Sequence, residues 1–276
     1  MDQHSDGAYA VLGFTARCPA TAQVLGIDYR LFADLDPQHR GLLRLEAAGI
    51  TRSAIFGPAQ ARQRFTLNTA DRLHQFLDYT RAGIWHIWTG YDHILFLIAL
   101  LLPSVLSRHN GHWRGVINKR GAVMDTLKIV TAFTLAHSIT LSLAVLDIVR
   151  LPSRLVESVI AASVVLAALN NIYPLMKQRR WLVAFSFGLM HGFGFASVLI
   201  DLGLAPGMLA LSLAAFNIGV EIGQLAIVLV FLPLALLARD SVLYPRLVVR
   251  AGSWSVAMIA TLWLVQRVFN LQLVPG

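Results

Sequence analysis

Six apolar runs, at approximately 84–106, 125–148, 153–175, 181–201, 207–238 and 245–269, decide what this chain can fold into. Each is long enough to cross a hydrocarbon core about 30 Å thick as a helix. In lipid a spanning segment must satisfy its own backbone hydrogen bonds, which restricts it to helices and closed barrels. With 56% hydrophobic and 14% charged residues, the chain lies far from the about 25% charge of a soluble domain. The expected fold class is an all-α polytopic membrane protein, a six-helix transmembrane bundle over residues 81–276. The fifth run is overlong, which predicts tilt or an interfacial end. Short connections predict that sequential helices pack antiparallel.

Residues 1–80 contain no run of spanning length and are read as a small, partly β extracytoplasmic domain. Short strands are expected around 24–32 and 41–46, separated by the turn-forming Asp34-Leu35-Asp36-Pro37. About 80 residues support only a marginal core. No basic segment followed by an apolar run and a small-residue cleavage site opens the sequence, so the expectation is a domain truncated at its start. Cys18 is the single cysteine, which excludes an internal disulfide and any CxxC metal motif.

The net charge of +8 is a matter of topology rather than of nucleic acid. Arg108, Arg114, Lys119 and Arg120 follow the first run, Lys177, Arg179 and Arg180 the third, and Arg239, Arg246 and Arg250 the fifth, against Asp240. The alternate loops hold Asp147, Arg150, Arg154 and Glu157 in one case and Asp201 in the other. Excess Lys and Arg marks the cytoplasmic side. Both termini are therefore expected outside a bacterial-type inner membrane.

Ionisable groups within spans are expensive and usually functional. Asp92 and His93 lie in the first run, His137 in the second, His191 in the fourth and Glu221 in the fifth. At about 1.5 Å of rise per residue, all five fall roughly 13 to 21 Å from a membrane face, near the midplane. On a straight helix His86 would sit about two turns nearer the outer face than His93, an entry waypoint on nearly the same stripe. Asp92 would point about 120° away, toward a neighbouring helix. Imidazole and carboxylate are common ligands of nickel, copper, zinc, cobalt and iron, and a carboxylate such as Asp92 commonly accepts the second ring N–H of a ligating histidine. Against this, a lone intramembrane histidine can simply hydrogen-bond across helices.

The spacings Gly188/Gly192 and Gly219/Gly223 flank His191 and Glu221 and permit close helix approach. Asn217, Glu221 and Gln224 share one stripe and give the fifth run a polar face. Asn170, Asn171, Tyr173 and Pro174 are expected to satisfy backbone and end a helix. Trp85, Trp88 and Trp113 read as interfacial anchors, His109 and His112 as solvated loop residues, and Ser138, Thr140 and Ser142 as hydrogen-bonding within or between helices.

Four motifs carry a resemblance: His86-Ile87-Trp88-Thr89-Gly90-Tyr91-Asp92-His93, Thr131-Ala132-Phe133-Thr134-Leu135-Ala136-His137-Ser138, Phe187-Gly188-Leu189-Met190-His191-Gly192-Phe193-Gly194, and Phe216-Asn217-Ile218-Gly219-Val220-Glu221-Ile222-Gly223-Gln224. Together they resemble the HupE/UreJ-like membrane proteins over the whole six-span region. The resemblance implies passage of nickel or another divalent metal across the inner membrane to supply hydrogenase or urease maturation. It puts His86, Asp92 and His93, with Gly90 between them, at the metal-handling centre.

Three functional classes fit these residues. A secondary permease would draw the ion past His86 to a site of His93, His137, His191 and Glu221, without ATP hydrolysis, since no GxxxxGK[ST] motif is present. Its uptake would depend on pH, because histidine must be unprotonated to ligate. An intramembrane hydrolase would use histidine-held zinc to activate water, with Asp92 or Glu221 as base. A non-transporting, metal-linked partner of a membrane complex is the third. The expected ligand is a divalent transition metal, and the expected partners are the lipid bilayer and metalloenzyme-maturation or membrane-complex proteins, with no nucleic acid.

Overall fold

The computed structural model describes residues 2–4, 7–9, 22–32, 34, 41–47, 50–57, 60–67, 72–109, 112–173, 179–195 and 206–271. Cys18, Pro174, Lys177 and Asp201, and the end of the fourth apolar run, lie outside them. So do the side chains of Arg108, His109 and His112.

Before the helices the described residues form three antiparallel strand pairs. β1 (Asp2–His4) pairs with β2 (Gly7–Tyr9), β3 (Val24–Asp28) with β6 (Arg62–Thr66), and β4 (Gly41–Ala47) forms a hairpin with β5 (Ile50–Phe56). Phe56, Phe65 and Ala54 make a small buried cluster beneath Tyr29 and Ile27. Three aromatic rings are about as much core as so few residues can close.

The helical part begins earlier than the first apolar run suggests. α1 spans Arg72–Thr89 and α2 Tyr91–Leu101, and the two meet at Gly90 with a bend of 70°. A tight hairpin, β7 (Leu106–His109) with β8 (His112–Gly115), replaces the expected loop before α3 (Lys119–Val145). Then follow α4 (Ser153–Ile172), α5 (Arg180–His191) continued by a 3₁₀ turn at Gly192–Phe195, α6 (Pro206–Ala238), and a π-helical segment at Tyr244–Ala251 that runs into α7 (Gly252–Phe269). Among the described residues four helices are long and apolar enough to cross a membrane, or five if the bent α1–α2 pair is one span. The run at 181–201 departs from expectation, because its α-helix ends at His191, where the backbone tightens into the 3₁₀ turn. Leu229, Val230, Leu234 and Leu237 on α6 and Met258 on α7 stay exposed, as lipid-facing side chains do.

The most extensive interfaces join non-sequential helices: α1 with α6, α3 with α5, and α4 with α7. Small residues select the first two. A Cβ on Gly188 would meet the Phe133 carbonyl oxygen at 2.6 Å, and one on Gly192 would strike Thr140 and the His137 backbone, so α5 runs parallel to α3 at near-backbone contact. Gly219 faces Thr80 and Gly83, and Gly223 lies against Ile84 and Ile87, which aligns α6 parallel to α1 in the same way. Adjacency in sequence therefore does not decide who packs with whom.

Side chains from three other elements finish α2. Asn171 Nδ2 donates to Ala99 O at 2.7 Å and to Ser253 Oγ at 3.1 Å, Arg180 donates to Leu100 O, and the Tyr244 hydroxyl donates to Leu102 O at 3.0 Å. The last carbonyls of a helix have no partner within it, and here α4, α5 and the π segment supply them. That network holds the short helix at a fixed depth.

Candidate metal centre

The break at Gly90 builds the site. Gly90 has φ −78° and ψ 96°, an extended conformation open to any residue, so space and not backbone freedom requires glycine there. A Cβ would lie 2.8 Å from His93 Nδ1, 2.8 Å from His86 O and 3.1 Å from Asp92 Oδ1. Asp92 sits in the first turn of α2, where a carboxylate is favoured by the helix dipole, and its Oδ1 accepts the His93 backbone N–H at 2.9 Å.

The bend overturns the straight-helix geometry for His86. Instead of lying two turns away, its ring packs edge-on to His93 with centroids 4.5 Å apart. His86 is thus a neighbour within the cluster and not a separate outer waypoint. Asp92 Oδ1 lies 3.0 Å from Nδ1 of the adjacent His93, and the carboxylate also stands in one group with His191 of α5.

His137 of α3 lies with its ring 6.0 Å from those of both His86 and His93, and His191 at the end of α5 is 5.1 Å from His93. Ligand atoms of Asp92, His93 and His191 all fall within 4.8 Å of one another. A first-row ion binds imidazole nitrogen at about 2.0–2.1 Å, so its ligand atoms stand at most about 4.2 Å apart, close to the spacing found here.

Four helices thus bring together four imidazoles, and their hydrogen bonding is incomplete. His86 Nε2, His93 Nε2, His191 Nδ1 and both nitrogens of His137 are buried without a hydrogen-bond partner. Leaving such groups unpaired costs about 1–3 kcal/mol each, which a fold tolerates where a ligand supplies the missing bond. Two ring nitrogens have partners that orient the free ones. Asp92 at His93 Nδ1 leaves Nε2 to present a lone pair. Ser163 Oγ of α4, 3.1 Å from His191 Nε2, leaves Nδ1 in the same role. This is the outer-shell arrangement that fixes the tautomer of metal-binding histidines.

Glu221 does not join the group. It accepts a hydrogen bond from Thr131 Oγ1 at 2.9 Å, and one turn on Gln224 Oε1 accepts from Thr134 Oγ1 at 2.9 Å, so the two rivet α6 to α3 along a separate seam. Asn217 Nδ2 donates to Leu213 O within its own helix at 2.9 Å. The polar stripe on α6 is legible in the sequence, but which helix it meets is not. Trp88 donates its indole N–H to Gly223 O at 3.2 Å, an interhelical tie as well as a half-exposed ring. Ser138, Thr140 and Ser142 bond back to carbonyls of the preceding turn.

Sequence reasoning missed Ser163, one of several small residues on α4 with no distinguishing spacing. It also missed the phenylalanines around the cluster: Phe195 and Phe216 on His86, and Phe96 and Phe133 on His191.

A family model described as HupE / UreJ protein matches residues 61–267, three quarters of the chain, including every residue of this cluster. No curated protein and no solved structure matches.

Proposed function

The chain belongs to the HupE/UreJ family, which is associated with nickel or cobalt uptake or urease maturation, and from that premise we propose that it carries a divalent transition metal, nickel favoured, across the membrane through the histidine cluster. One observation carries the reading: five buried ring nitrogens on four converging histidines lack any hydrogen-bond partner. A cation is the ligand that such a set of neutral donors fits.

In this reading His93, His137 and His191 bind the ion with His86 beside them. Asp92 and Ser163 hold the tautomers of His93 and His191, and the carboxylate supplies the negative charge that a dication needs in a low-dielectric interior. Glu221 stabilises the α3–α6 seam. The basic loops face the cytoplasm, and the residues before α1 form an extracytoplasmic domain. The ion leaves at the basic face for metalloenzyme-maturation proteins. Transport is preferred to hydrolysis because both carboxylates that could serve as base are committed, Asp92 to His93 and Glu221 to Thr131.

The test is accumulation of radioactive nickel by cells expressing the protein or its His93→Ala variant at equal membrane levels. Uptake by the parent and its loss in the variant are expected; equal uptake by both would sink the proposal.

A further inference from the structure

The cluster is roofed at both ends by phenylalanine. At one end His86 lies 4.3 Å from the Phe195 ring and 5.5 Å from Phe216, and these two phenyl rings stack at 4.8 Å and 9°. Phe216 is fully buried, and Leu213, Leu141 and Tyr79 continue the apolar packing beyond it. At the other end His191 has Phe96 and Phe133 each 5.1 Å away; Phe96 packs on Phe133 at 5.2 Å and edge-on to Phe187 at 5.7 Å. Beyond these rings Leu100, Ile129, Val164, Ala184 and Val256 close a second apolar layer.

A hydrated dication cannot pass a closed phenyl layer, because the rings replace none of its water; hydrophobic constrictions in channels gate in this manner. Once the ion is partly dehydrated, a phenyl face attracts it, so the same rings suit a path that opens in turn. The two layers are carried largely by different elements. Phe216 is carried by α6, which packs along α1, and Phe195 by the 3₁₀ turn that follows His191. Phe96, Phe133 and Phe187 belong to α2, α3 and α5, with Gly188 setting the close approach of α5 to α3.

We propose that Phe195 with Phe216, and Phe96 with Phe133 and Phe187, are the two gates of the metal route, and that the structure has both shut around the histidines. The proposal rests on the transport reading, but its test needs neither the transported metal nor transport. Pentaammineaquaruthenium(II), a charged complex that coordinates unprotonated imidazoles and does not cross lipid, is applied to the full chain in sealed right-side-out and inside-out membrane vesicles, and each histidine is read by mass spectrometry.

In the parent protein His86, His93, His137 and His191 should react at least about tenfold more slowly than in the detergent-unfolded chain, as groups exposed only by rare opening do. Phe216→Ala should raise His86 labelling from one face only, and Phe96→Ala should raise His191 labelling from the opposite face only. Phe216→Leu and Phe96→Leu, which keep the bulk, should stay near the parent. The proposal is overturned if both alanine variants open to the same face, if neither changes the labelling, or if either exposes all four histidines from both faces together, the mark of lost packing. A parent that takes up no nickel while its variants open opposite faces would remove the transport reading and leave the gates standing.

Discussion

Replacing Gly90 with alanine tests whether the bend, and not merely the histidines, makes the site. The backbone at Gly90 suits alanine, so the substitution carries no conformational strain of its own. It instead puts a methyl 2.8 Å from His93 Nδ1 and 3.1 Å from Asp92 Oδ1, well inside the separation of ordinary contacts. Either the His93–Asp92 pair moves or the bend opens. Overpacking of this kind costs about 1–3 kcal/mol, and alanine's better helix propensity adds up to about 1 kcal/mol in favour of straightening. A continuous helix would separate His86 from His93 by about 10.5 Å along its axis, against the 4.5 Å between ring centroids in the bent form. If the packing cost falls on the metal-bound form, affinity drops roughly 5- to 150-fold. The assay is calorimetric titration of nickel into purified protein in lipid nanodiscs, with the melting temperature of the metal-free protein alongside. Parent-like affinity in Gly90→Ala would refute the argument that this break assembles the site.

Ser163→Ala removes the group that holds His191 Nε2, and should weaken nickel binding about 10- to 100-fold in the same titration while leaving helix content by circular dichroism unchanged. His137→Leu removes two buried, unpartnered nitrogens at fully buried cost, so the metal-free protein should melt no lower than the parent, while stabilisation by added nickel disappears. Glu221→Gln keeps an oxygen that can accept from Thr131, and nickel affinity should stay within about twofold of the parent; a tenfold loss would return Glu221 to the ligand set. His93→Ala should abolish both binding and cellular uptake, measured with radioactive nickel.

Much of this architecture can be read from residue types and their intervals. Apolar length marks out the spans of α3, α4, α6 and α7, because the bilayer imposes a length that few other causes produce. The intramembrane histidines stand out because such groups are rarely placed in lipid without a partner. Val24–Asp28 and Gly41–Ala47 are strands, but their partners Arg62–Thr66 and Ile50–Phe56 are not marked out by residue type alone. Geometry extrapolated along an assumed straight helix is what fails. Counting residues presumes a constant axis and so sets His86 two turns from His93, whereas Gly90 breaks that axis by 70°.

Sequence alone therefore determined that this is a membrane protein and which side chains are too costly to lie in lipid idly, since both depend on transfer energies carried by each residue wherever it ends up. It also carried the family, through motifs local to single segments. Only the tertiary structure decided who meets whom. Glycine contacts set α1 along α6 and α3 along α5. Those pairings gave Glu221 to Thr131 and Ser163 to His191, and seated phenylalanines against the histidines at both ends. Such partnerships depend on contacts between residues tens of positions apart, and periodicity within one helix holds no record of them.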